Sequence, residues 1–280
     1  MALGTMTWGA DTEPDEAANL LGETVPRDQV VLATKAVARR TEGPFGGGAS
    51  RGALLAALDG SLSRLGVEHI DLWQLHAWDP AVPIEETLAA IDTAVTSGKV
   101  RYAGVSNYTG WQLGTAATWQ KCAPGRTPIV STQVEYSLLE RGVEREVVPA
   151  AEAHGIGLLP WAPLGRGVLT GKYRGGTPAD SRGASQRLAS YVDQHRTDRA
   201  ARIVEAVVTA ADGLGTSPLA VALAWVRDRP GVVAPVVGAR DAAQLTGSLA
   251  AEELTLPTAI RAALDDVSGI ELGYPERRLG

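Results

Sequence analysis

The stretch that decides the fold runs over residues 70–80, I-D-L-W-Q-L-H-A-W-D-P. Its first half is apolar and β-prone, the composition of a parallel strand buried on both faces. It breaks at a polar residue, His76, and continues into Trp78 and the turn pair Asp79-Pro80. In an α/β barrel the C-terminal ends of the strands carry the chemistry, so a histidine beside an aromatic ring at such an end reads as part of a site. A lone histidine of this kind is more often a hydrogen-bonded core residue. What shifts the balance is that other segments end in the same way.

Strand-like segments recur along the chain at 2–8, 30–36, 70–76, 100–106, 129–136, 156–161 and 232–238. Helical patterns separate them. Residues 50–65 carry Leu54, Leu55, Leu58, Leu62 and Leu65 at helical spacing, and residues 84–97 repeat the pattern up to Gly98. Thr109 and Gln112 form a T-x-x-Q capping box, and residues 144–154 stop at Gly155. Strand and helix in alternation predict one parallel sheet covered by helices. The fold class is therefore α/β, a single domain of (β/α)8 TIM-barrel type over residues 1–280. Residues 164–199, rich in Gly, Arg, Ser and Asp, read as a long surface loop over the strand ends.

Composition narrows the function. A 280-residue chain that is 45% hydrophobic and 21% charged has ample core, and its net charge of −6 makes a nucleic-acid backbone a poor partner. A single cysteine, Cys122, excludes an intrachain disulfide and fits a reducing compartment. The first residues lack the basic and apolar regions of a secretory leader, and no apolar run reaches the roughly 18 residues of a membrane helix. A cytoplasmic protein with a small-molecule partner is expected, with neither nucleic acid nor membrane involved. Two look-alikes carry no nucleotide site. Residues 155–160, G-I-G-L-L-P, precede a strand and end in proline, while residues 165–172, G-R-G-V-L-T-G-K, are one residue too long for a phosphate loop and are followed by Tyr173. No His/Cys/Asp grouping has metal-ligand spacing.

The strand ends hold the informative residues. V-V-L-A-T-K-A presents Lys35 after an apolar run, a position where a lysine is costly unless paired or depressed in pKa. The fourth segment ends at Ser106-Asn107, the fifth carries Gln133, and the sixth runs into Trp161 followed by Leu164, Gly165 and Arg166. The last places Gly238 and Arg240 at the start of a helix, a favourable place for phosphate.

These motifs resemble the aldo-keto reductase family, in its bacterial NADP-dependent branch. They are G-T-M-T-W-G, L-A-T-K, D-L-W-Q-L-H-A-W-D-P, G-K-V-R-Y-A-G-V-S-N-Y, Q-V-E-Y-S-L-L, P-W-A-P-L-G-R-G-V-L-T-G-K and V-V-G-A-R, in the family's order. The resemblance implies NADP(H) as cofactor and reduction of an aldehyde or ketone. It matches Lys35 and His76 to two members of the catalytic tetrad, and Ser106, Asn107 and Gln133 to the residues holding the nicotinamide carboxamide. Trp161 matches the ring stacked on the nicotinamide. Gly4, Thr5, Leu164, Gly165, Arg166, Gly238, Arg240 and Gln244 match the pyrophosphate and adenosine end. Trp8, Trp78 and Tyr108 would wall a pocket for an apolar or aromatic carbonyl compound. Where the family has E-x-N, this chain has Thr246-Gly247-Ser248.

One departure is larger. The family's tetrad also takes an Asp and a Tyr from a strand reading D-T-A-x-x-Y-G, before the L-A-T-K strand. Here Asp15-Glu16-Ala17-Ala18 runs directly into Asn19-Leu20-Leu21-Gly22-Glu23, with neither motif present. The chain is expected to be about one βα unit short, with seven strands instead of eight and without the N-terminal hairpin that precedes the family's barrel. Three readings follow: a reductase with activity impaired by the loss, a non-catalytic NADP(H)-binding barrel, and a Schiff-base lyase using Lys35.

Overall fold

The structure, a computed structural model, describes residues 1–4, 26–39, 42–43, 46–186, 188–239, 241–271 and 273–274. The chain divides into two compact units. One holds Trp8–Val134 and Glu146–Leu158, and the other holds Met1–Thr7, Glu135–Arg145 and Leu159–Gly280.

The first of these is built on parallel strands: β2 (Ala33–Ala36), β3 (Ile70–Leu75), β4 (Val100–Ser106) and β5 (Ile129–Glu135), adjacent in that order, with β6 (Gly157–Trp161) next in the sheet. Parallel pairing places Lys35 opposite Gln74, Gln74 opposite Gly104 and Gly104 opposite Ser131, so these four share one face. His76, Ser106 and Gln133 lie one pleat further along that face. Trp73, Leu75 and Val105 point the other way and are fully buried. Helix α1 (Arg51–Leu65) packs on β2 and α2 (Ile84–Thr96) on β4, so apolar residues meet helices and polar residues line the opposite face. Ser50 caps α1 by accepting from the Ala53 amide, and Gly66 ends it in the left-handed region at φ 62°. Helix α3 (Gly110–Lys121) has the expected capping box between Thr109 and Gln112. It runs close to α4 (Val143–His154) at Gly110, where a side chain would meet Glu146.

In the other unit β1 (Ala2–Leu3) pairs in parallel with β7 (Val236–Val237). The Gly4 amide continues the ladder onto the Val237 carbonyl at 2.6 Å. This last strand is shorter than residues 232–238, because Pro235 has no amide to donate. Helices α6 (Asp198–Leu214), α7 (Pro218–Arg227), α8 (Ala242–Leu249) and α9 (Thr258–Ser268) surround a core that includes Leu169, Ile203, Val207, Val221 and Trp225. Residues 164–199 are not a bare surface loop. They contain 3-10 turns at Gly165–Thr170 and Arg182–Ala184 and the short helix α5 (Ala189–Asp193), and Leu169 and Val192 are fully buried. The scattered Gly, Ser and Arg had masked these apolar anchors.

All seven strand segments read from the sequence hold strand residues, in the βα order of the TIM-barrel class. Among the described residues no single helix is long and apolar enough to cross a membrane.

The contact at Gly110 is testable. An added Cβ would lie 2.5 Å from the Glu146 Cβ and 2.8 Å from its carbonyl oxygen. Gly110→Ala should lower stability by about 1–3 kcal/mol in urea unfolding, since backbone must move to admit it.

Candidate functional site

In the first unit the sheet register gathers five of the expected residues at the strand ends. Lys35 is half-buried near the end of β2, and burial pulls its pKa below the usual lysine range. His76 follows β3 and is exposed, its amide bonded to the Ala36 carbonyl at 3.0 Å. Partial burial of the ring, and then the positive charge of Lys35, hold the imidazole below its ordinary pKa and favour its neutral form. Ser106 and Gln133 are direct partners across β4 and β5, 1% and 8% exposed. The Ser106 hydroxyl is buried and has no hydrogen-bond partner among the described residues. A buried hydroxyl without a partner is costly, and a ligand amide would satisfy it.

Asn107 adopts φ 57°, a left-handed conformation that asparagine tolerates better than most residues. Its amide donates to the Gln133 carbonyl and its side-chain nitrogen to the His76 carbonyl, both at 3.0 Å. Asn107 therefore ties the ends of β3, β4 and β5 together as well as facing the site. Beyond His76, Trp78 stands edge-on to Tyr108 at 5.4 Å and to Trp111 at 5.2 Å. Asp79 accepts from the Ala49 and Ala81 amides, which fixes the turn carrying Trp78. Tyr108 is almost wholly buried, and burial together with the Asp79 carboxylate pushes its hydroxyl far above the usual range.

The other unit carries the glycine turn after β6. The Trp161 carbonyl accepts from the Tyr136 amide at 3.3 Å, and the chain then coils tightly through Leu164 and Gly165. Arg166 sits at φ 60°, a costly conformation for a side-chain-bearing residue. Its surroundings hold it there. The guanidinium is 7% exposed and bonds both oxygens of Glu135 at 3.0 and 2.7 Å. It also bonds the Tyr191 carbonyl at 2.7 Å and the Gln194 side chain at 2.9 Å. The Tyr191 ring stacks on it at 3.6 Å, and His195 adds a 3.0 Å contact to Glu135. The resemblance places Arg166 at the pyrophosphate and adenosine end; in the structure its guanidinium is engaged with Glu135.

Gly4 and Gly238 lie side by side: a Cβ on Gly238 would come within 3.7 Å of both the Gly4 carbonyl and the Arg182 guanidinium. Gln244 is in the first turn of α8, its amide bonded to the capping Asp241. Ser248, in the place of the family's E-x-N, is buried and bonded to the Gln244 carbonyl, so its hydroxyl is engaged within the helix. Thr5, Trp8 and Arg240 lie outside the described residues.

Sequence reading missed Glu135, His195 and Arg182. Glu135 had a signal, an acidic residue inside the apolar Q-V-E-Y segment two positions from Gln133. Arg182 and His195 had none, being spread through residues 164–199 where arginine is common. Among the described residues no group of three His, Cys, Asp or Glu could hold a metal.

The chain matches the Aldo/keto reductase family over residues 11–268. It is 32% identical to an uncharacterized oxidoreductase of Bacillus subtilis, covering 95% of this chain and 91% of that protein. That alignment extends over 308 positions, more than the 280 residues here, so the relative carries residues with no counterpart in this chain. An L-glyceraldehyde 3-phosphate reductase of Escherichia coli is 33% identical over 85% of this chain and 70% of its own length. A probable voltage-gated potassium channel subunit beta of Oryza sativa is 32% identical over 90% and 76%.

The Glu135 cluster predicts a pH dependence. Burial alone would raise its pKa, but hydrogen bonds from His195 and Arg166 outweigh that and hold it below the ordinary value. Its contribution to stability is therefore complete above the unfolded value, about 4.3, and is lost as pH falls through the lower folded value. Urea midpoints measured from pH 7 downward should show this decline, and Glu135→Gln should remove it. At pH 7, Glu135→Ala should cost about 3 kcal/mol, because it leaves a buried guanidinium without its counter-ion.

Proposed function

The chain belongs to the Aldo/keto reductase family, and on that premise we propose that it is an NADP(H)-dependent oxidoreductase reducing an aldehyde or ketone to an alcohol. The family, and the oxidoreductases among its relatives, carry the coarser statement that this is an oxidoreductase of nicotinamide type. The observation that supports the finer reading is the polar end of the sheet. Ser106, with a buried hydroxyl lacking a partner among the described residues, faces the same way as Gln133 at the end of a sheet that also carries Lys35 and His76. That donor set fits a carboxamide.

In this reading Ser106, Asn107 and Gln133 hold the nicotinamide carboxamide. Trp161 is the stacking ring, and Gly4, Leu164, Gly165, Gly238 and Gln244 serve the pyrophosphate and adenosine end. The cofactor, when bound, supplies a hydride. His76 is neutral at working pH and offers an N–H to the carbonyl oxygen, favouring negative charge there. Lys35, with a pKa lowered by burial, gives up a proton more readily than an exposed lysine and stands beside it as acid. Trp78 and Tyr108 present an apolar wall suited to an aromatic or otherwise apolar carbonyl compound.

A second reading, cofactor binding without turnover, has its own support. The sequence lacks the family's Asp and Tyr, and loss of a positioned acid typically costs about 10² to 10⁴ in rate. The tyrosines on neighbouring strands do not replace it. Tyr108 is buried with its proton held tightly, Tyr136 donates to Glu144, and Tyr102 is exposed at the opposite end of β4. A relative named as a channel subunit gives this reading a parallel.

Titration of the 280-residue chain with NADPH, followed by tryptophan fluorescence, tests both. Saturable binding with reduction of an aromatic aldehyde supports the reductase, binding without turnover supports the second reading, and no binding by folded protein overturns both. Ser106→Ala should weaken binding about 3- to 10-fold, the net worth of one hydrogen bond. Lys35→Met and His76→Gln should spare binding and lower any turnover by about 100-fold.

A further inference from the structure

The cofactor reading absorbs Ser106 and Gln133 but leaves the row one pleat earlier unexplained. That row runs Lys35, Gln74, Gly104, Ser131 across four neighbouring strands. Gln74 is 1% exposed and Ser131 7%, yet the Gln74 side-chain nitrogen and the Ser131 hydroxyl have no hydrogen-bond partner among the described residues. Two such groups on one sheet row are a strong demand, because a buried polar atom left without a partner is destabilising.

The glycine between them explains how they meet. A Cβ on Gly104 would lie 2.3 Å from the Ser131 hydroxyl oxygen and 3.2 Å from the Gln74 Cγ. The Gln74 stem and the Ser131 hydroxyl therefore approach Gly104 from opposite sides, and the missing side chain is what leaves them room. The two polar groups do not bond each other. A carboxamide nitrogen supplies two hydrogens and a hydroxyl supplies both a hydrogen and lone pairs, the complement of one water molecule.

We propose that Gln74 and Ser131 bind a single buried water above Gly104, in the sheet row that carries Lys35. The water accepts from the Gln74 amide and shares a hydrogen with the Ser131 hydroxyl, satisfying both orphans. It places an internal solvent molecule in the strand row that bears the lysine. This site does not depend on the chain's reaction.

The test uses isotopically labelled full-length protein. Water-to-amide cross-relaxation NMR should show the Gln74 side-chain amide, assigned by its disappearance in Gln74→Leu, in contact with a long-lived water, and the contact should vanish in Ser131→Ala. In urea unfolding Ser131→Ala should lower the midpoint, and adding Gln74→Leu should lower it by less than the separate effects combined, as expected of two groups sharing one ligand. Absence of the water contact in the unaltered protein overturns the proposal, including the case in which the two side chains bond each other directly. So does a raised midpoint in Ser131→Ala, the result of deleting a hydroxyl that never had a partner. If Gln74→Leu fails to fold, the cross-peak and the Ser131→Ala midpoint decide alone.

Discussion

A one-residue slip in the pairing of β4 with β5 governs what the sheet presents. Ala103 stands opposite Ile129, but Gly104 stands opposite Ser131, leaving Val130 as the extra residue of a bulge. Side chains alternate between faces, so one inserted residue exchanges the two faces of everything after it. With regular pairing Ser106 would sit opposite Thr132, and Gln133 would point toward the helices. The slip instead sends Ser131 and Gln133 to the face of Lys35 and His76 and returns Thr132 and Val134 to the buried side, where they are 0% and 3% exposed.

The polar face of that sheet is assembled from short-range necessities. Helices cover the apolar side of β2 and β4, and the polar residues occupy the opposite face. Asn107 closes the arrangement, using its unusual backbone to bond two neighbouring strands at once. In the other unit a charged cluster plays the same part for the turn after β6. Glu135, at the end of β5, fixes Arg166 and His195 and so joins the turn to the segment beyond it.

Much of this was legible in the sequence. Strand positions, helix caps and the polar strand ends follow from periodicity and from residues such as Gly66, Thr109 and His76, whose roles are local. Hidden features were those set by partners distant along the chain. The apolar anchors Leu169 and Val192 are lost among glycines and arginines. The bulge at Val130 leaves no mark in V-S-T-Q, because either register would bury plausible residues. Nothing about Arg166 alone reveals that its charge is met by Glu135. The family resemblance supplied the order of the site residues, while the register supplied the reason that they face together.

The cluster around Arg166 also shapes how this protein can diverge. Arg166 and His195 lie 31 and 60 positions from Glu135 in the chain, yet the carboxylate and the guanidinium are not exchangeable one at a time. Losing the carboxylate first strands a buried cation, and losing the cation first leaves a half-buried glutamate with His195 as its remaining partner and a turn whose backbone had been held in place by the guanidinium. Viable descendants must alter these positions in concert or through a neutral intermediate at His195, the most dispensable of the three. Among homologues the three sites should therefore covary as a block, and a transplant of the turn into another scaffold would require its acidic partner to travel with it.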